Sequence, residues 1–299
     1  MDLSALIAAA WEQHADDAEA TARRIAEMLP QVQAAADVPP FASLLAHVYG
    51  EHLGHWPEAL ALLAGLRGVA GEDATAQAAV LRAERTLRHV SGDASALDDL
   101  GTPDRAAVLA GTAAMQLGRG QTEAAAQALY AALALAEGGL PDGSPALRAL
   151  AVAGNNIAAE LQQHPHRSAA DTALMLRAAE TGLRYWSRAG GWLQVERAEH
   201  RLGSCQRAAG RHAEARDSAR RCLAVCEAHD APDFERFFAH ALLAVTLRET
   251  GDTTGFEAQR DAALACHGRL GADEQAWCEQ ELAELQAATI PPAGGFTHP

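Results

Sequence analysis

The stretch Leu193 to Ala224, LQVERAEHRLGSCQRAAGRHAEARDSARRCLA, sets the tightest limit on what this chain can fold into. Apolar or small residues recur at Leu202, Gly203 and Cys205, a Gly-Arg turn follows at Gly210 and Arg211, and a second helix opens with Glu214 and Ala215. Gly203 lets a neighbouring helix backbone come close. Gly210 is free to take the left-handed conformation that ends a helix, and Ala215 is small where the two helices cross. The spacing therefore predicts a helical hairpin. Weaker copies of it run through the chain, and hairpins of this kind bury their apolar faces by stacking neighbour on neighbour.

In chain order, Leu6, Ile7 and Trp11 begin a first hairpin that the polar run His14 to Asp17 interrupts. Asp16 or Asp17 caps its second helix, which carries Ala18, Ala22, Ile25 and Leu29. Phe41 to Leu66 repeats the pattern, with Gly54 at the turn and Pro57-Glu58-Ala59 opening the second helix. Glu72 to Val90 reads as a helix whose partner near Ala94 to Leu100 is too short, so this unit departs from the repeat. The pattern returns from Pro103, with a turn and restart over Gly118 to Ala125 and a loop at Gly138 to Pro145. Ala149 to Leu161 pairs with Ala169 to Arg188. After the Leu193 hairpin, Phe234 to Leu270 restates the spacing at Leu243, Ala244, Leu247 and Gly251. Asp273 to Ala288 reads as a lone capping helix and 289–299 as a frayed tail. The loop at Gly138 to Pro145 divides the chain into expected domains 1–137 and 145–288.

Composition agrees with an all-α chain. Hydrophobic residues make up 49%, much of it alanine, while aromatics are only 5%, which favours closely packed helices over sheets. The net charge is -15, and all 24 basic residues are Arg. An acidic chain is a poor ligand for nucleic acid, and one without Lys has neither Schiff-base chemistry nor a P-loop lysine. Five Cys without framework spacing are expected to be reduced thiols of a cytoplasmic protein. The N-terminus lacks a basic leader region, and no apolar run reaches the ~18 to 20 residues of a membrane span.

The set Leu202-Gly203, Gly210 and Ala215 resembles a tetratricopeptide repeat. Taking Ala124, Ala170, Ala215 and Phe256 as equivalents gives spacings of 46, 45 and 41 residues, longer than the ~34 usual for that repeat. Lengthened units of this kind resemble those of kinesin light chains and of bacterial signalling regulators built on the repeat. The resemblance implies a right-handed α-α superhelix, a tetratricopeptide-like solenoid of about six to seven helical hairpins. It implies a non-catalytic scaffold that holds a protein or peptide on a concave face lined by first-helix residues.

That register places Asn155 and Gln162 on the inner face of one unit, Arg197, His200, Ser204 and Arg207 on the next, and Arg248 on the last. Asn155 and Asn156, ahead of Ile157-Ala158, resemble the Asn-Asn-Leu-Ala of lengthened repeats, in which an inward amide holds a peptide main chain. The arginines would add bidentate recognition of acidic side chains or a free C-terminus. No cofactor, metal, nucleic-acid or membrane partner is expected, and the chain is expected to be a monomer or homodimer.

Other groups read as packing or surface. Cys222, Cys226 and His229 share one helix face and would offer three metal ligands, but Cys222 also holds an apolar packing position. His52 and His55, three apart beside a turn, could likewise hold a metal but read better as surface histidines, and His47 and His240 read as packing histidines. Trp56, Trp186 and Trp192 lie near helix ends and seal hairpin contacts. No nucleophile elbow, Rossmann glycine pattern or paired-carboxylate signature is present. Two other classes stay open: a sensor that closes on a small signal peptide and switches a separate effector, and a metal-dependent enzyme.

Overall fold

A computed structural model of the chain describes residues 2–287, and among them the protein is all-α, with no strand. It divides into two compact units, one ending at Ala189 and one beginning at Gly190.

The first unit opens with the expected hairpin, α1 (Leu3–Gln13) and α2 (Ala18–Met28). Asp17 is the cap: its Oδ1 accepts the Ala20 N–H at 2.8 Å, which satisfies a donor that the first helical turn leaves unpaired. After two short 3-10 turns, α3 (Val38–Leu45) runs on into a π-helical segment, Ala46–Leu53, which stops at Gly54 with φ of 69°. Pro57 lies in the first turn of α4 (Trp56–Ala70), where its missing N–H is not needed. The single helix α5 (Ala74–Val90) packs against α3, α4 and α6 (Thr102–Gly118). Its would-be partner is one 3-10 turn, Ala94–Leu97, pinned because Arg88 Nε donates to Asp93 Oδ2 at 2.8 Å while Asp93 Oδ1 accepts Ser95 N–H at 3.0 Å.

Regular hairpins follow: α6 with α7 (Thr122–Glu137), then α8 (Pro145–Gln163) with α9 (Ala169–Ala189), the first helices α6 and α8 lying side by side. Phe41, Leu44, Leu45, Leu63, Leu66 and Leu87 fill the core toward the N-terminus. Leu129, Leu147, Leu150 and Ile157 fill it toward α9, all of them fully buried. The crossing of α8 and α9 is the tightest in the unit: a Cβ on Gly154 would sit 2.6 Å from both Ala178 O and Gly182 N.

The second unit contains α10 (Trp192–Ala208), α11 (His212–Ala228), α12 (Asp233–Glu249), α13 (Thr253–His267), α14 (Ala272–Ala276) and α15 (Glu279–Gln286). The hairpin read from the sequence is α10 and α11. Gly210 takes φ of 73°, Ala215 is wholly buried, and a Cβ on Gly203 would lie 3.0 Å from Leu242 Cδ2, so α12 also uses this gap. Phe237, fully buried on α12, anchors the core with Leu242, Leu243 and Leu247.

Two expectations are corrected. The chain does not divide at the loop between α7 and α8, because α8 packs on α6 and Arg188 of α9 reaches back to Leu140 O and Asp142 Oδ1, each at 2.9 Å. The lone capping helix is two short helices, α14 and α15, and the tail 289–299 lies outside the described residues. No helix among the described residues is long and apolar enough to cross a membrane.

Candidate functional site

A π-helical turn bonds residue i to i+5, so residues five apart come to lie over one another instead of drifting round the helix. In the Ala46–Leu53 segment these residues are His47 and His52, whose Nε2 atoms are 3.1 Å apart. His14, the residue that ends α1, adds a third imidazole; its ring centroid is 4.8 Å from that of His47 and 5.0 Å from that of His52. One ligand atom from each of the three falls within 4.8 Å of the others.

The surrounding contacts set the tautomers. His14 Nδ1 lies 2.6 Å from Trp11 O, and since a carbonyl only accepts, Nδ1 carries the hydrogen and Nε2 the lone pair. The Glu51 carboxylate, 2.9 Å from His47 Nδ1, likewise accepts from that nitrogen and turns His47 Nε2 toward the other two rings. Burial, with His47 close by, holds His14 and His52 below the usual imidazole range, so both stay neutral at neutral pH.

The neighbours of the turn are fixed. Arg119 Nη1 donates to His52 O at 2.8 Å, and Tyr49 Oη donates to Ala22 O at 2.8 Å, tying the segment to α2. A Cβ on Gly50 would lie 2.8 Å from Met115 Sδ, so α6 seats against bare backbone there. Trp11 tilts over His47 at 5.0 Å and is 37% exposed, which leaves the cluster at the protein surface.

His47, expected as a packing histidine, is therefore half of a pair, and the partner of His52 is His47, not His55, which instead precedes α4. The sequence concealed this because a separation of five fits neither a helix face nor a strand face, and His14 lay in what read as a polar break. His240 does serve packing: its Nδ1 is 2.7 Å from Gln259 Oε1.

The expected binding residues fall in both units. In the first, Asn155 and Asn156 are half-buried on α8 and Gln162 lies near its end. In the second, the arginines are engaged. Arg197 Nη2 donates to Glu235 Oε1 at 2.5 Å. Arg207 donates from Nε to Glu249 Oε1 at 2.7 Å and grips the Glu284 carboxylate with both terminal nitrogens, Nη1 to Oε2 at 3.0 Å. Arg248 approaches the same carboxylate at 3.8 Å and donates to Glu284 O at 3.1 Å. Carboxylates of the chain itself, Glu235 and Glu249 of α12 and Glu284 of α15, thus lie against the three arginines. His200 lies edge-on to Phe238, and burial pushes its imidazole down to about 4, so it adds no charge.

Cys222, Cys226 and His229 do not form a ligand set. Cys222 and Cys226 are wholly buried, whereas His229 is exposed and stacks on Trp192 with centroids 5.4 Å apart. The Cys222 thiol donates to Glu196 Oε1 at 3.0 Å, and the bond with Cys226, then burial, push it well above the ordinary thiol range. Glu196 is itself buried, and the loss of solvent pushes its carboxyl up to about 7. Among the described residues, the three histidines are the one group of His, Cys, Asp and Glu placed to hold a metal.

Fold and contacts together define an all-α protein of consecutive helical hairpins. Comparison of the chain with protein-family models and with curated proteins gave no match.

Proposed function

We propose that this chain is a cytoplasmic, non-catalytic scaffold that holds an acidic protein or peptide segment on the first-helix face of its second unit. One observation carries the reading: Arg207 of α10 and Arg248 of α12, on successive first helices, converge on a single carboxylate, that of Glu284. Two guanidinium groups set around one carboxylate form a charge-assisted, directional seat. Glu284 belongs to α15, a helix of only eight residues, so a partner's acidic side chain or C-terminal carboxylate would compete with a short segment of the chain itself. The five cysteines, all buried free thiols, accord with a reducing compartment.

Affinity capture from the native host's lysate tests the reading. A partner held by the natural chain is expected to be lost from Arg207→Gln/Arg248→Gln, with helicity unchanged, and to be enriched on Glu284→Gln, which leaves the seat open. Proteins captured equally by all three forms would place binding elsewhere.

A further inference from the structure

We propose that His14, His47 and His52 form a binding site in the first unit for a divalent transition metal of the zinc class, independent of the arginine seat. Imidazole is the side chain these borderline cations prefer, and three imidazoles meet here with a ligand atom of each within 4.8 Å of the others. His47 Nε2 and His52 Nε2 face each other at 3.1 Å. At that spacing the two nitrogens share one hydrogen; a metal would take its place, and the ring that had carried it would bind as the tautomer with its hydrogen on Nδ1.

The geometry is near what a metal needs. Metal–nitrogen bonds of about 2.0 to 2.1 Å in a tetrahedral site put ligand nitrogens about 3.3 Å apart. The His47–His52 pair is already at that spacing. The remaining separations, within 4.8 Å, involve His14 at the end of α1, and a small shift of that ring about its bond to the Trp11 carbonyl closes them. Outer contacts of the kind that orient metal-bound histidines are also in place: the Glu51 carboxylate on His47 and the Trp11 carbonyl on His14. Three protein ligands leave a fourth position for water or an exogenous group, and the half-buried cluster beside exposed Trp11 gives that position access to solvent.

The test uses tag-free full chain, stripped with chelator, dialysed against zinc chloride and assayed for bound metal, with affinity from calorimetry. One zinc per chain is expected. Affinity should fall about 10- to 100-fold in His47→Ala and His52→Ala, about tenfold in Glu51→Gln, which keeps all three ligands, and not at all in His55→Ala. Quenching of Trp11 fluorescence by copper or nickel, lost in Trp11→Phe, gives an independent readout. If substitutions in the π-helical segment unfold the unit, His14→Ala, at a helix end, carries the test through its own loss of affinity. Failure of the natural chain to retain zinc, or equal retention by a well-folded His14→Ala/His47→Ala/His52→Ala variant, would overturn the proposal. The arginine seat plays no part in either outcome.

Discussion

At about pH 8, Glu196→Gln is expected to melt at a higher temperature than the natural chain, and the difference should narrow steadily as the pH falls to about 4. Glu196 is 1% exposed; one carboxyl oxygen accepts from Cys222 and the other is buried beside Glu235. Desolvation raises its carboxyl from 4.5 to about 7, and the nearby Glu235 carboxylate acts in the same direction. Below about 4.5 the group is neutral in both folded and unfolded chains; between the two values the folded chain holds a proton that the unfolded chain has released. Stability therefore declines as pH rises through this window and levels off above it. The full shift corresponds to a penalty on the order of 3 kcal/mol at alkaline pH. Gln keeps the shape and still accepts the Cys222 thiol but never ionises, so that penalty is absent. Thermal melts followed by circular dichroism across the range decide the matter; parallel pH profiles for the two proteins would mean that Glu196 does not carry this load.

Gly154→Ala should destabilise the first unit by about 2 kcal/mol although alanine is the better helix former. Two effects oppose each other. Replacing a mid-helix glycine gains about 1 kcal/mol in propensity. The added Cβ, however, would lie 2.6 Å from Ala178 O and Gly182 N, and these are backbone atoms of α9 that no side-chain rotation can move aside. The two helices must part along their length, and overpacking of this sort costs about 1 to 3 kcal/mol or more. Gly68 is the internal control: exposed on α4 with nothing within 4 Å of its would-be Cβ, it should gain up to about 1 kcal/mol on the same change. Urea denaturation of the pair separates the terms, and equal signs for both would show that the α8–α9 crossing yields more readily than its geometry implies.

Much of the fold was legible because hairpin signals are local. Gly210, Ala215, Asp17 and Pro57 each act within a few residues, and each holds the position its chemistry prescribes. The close approach of Gly154 to Gly182 was not foreseen, since it depends on which residues meet across two helices. Sites were harder to read for the same reason. That Arg207 and Arg248 bind a carboxylate follows from their chemistry; that Glu284 supplies it depends on where α15 folds back, 77 residues on from Arg207. The histidine cluster was hidden more deeply, because an α-helical reading sets His47 and His52 on different faces, and only the wider turn brings them together.

That wider turn makes the number of residues in the chain part of the chemistry. Relative to an α-helix, the segment from Ala46 to Leu53 stores surplus backbone, and each residue of an α-helix turns the chain by about 100°. Deleting a single residue between His47 and His52 would let the strand of chain relax into ordinary helix. The histidines would then be four apart, neighbours on one face of an ordinary helix, while the chain on either side would keep its phase, because the residue removed is the one the wider turn had absorbed. The spacing of the two imidazoles is therefore set by the length of the chain between them as much as by the presence of either histidine.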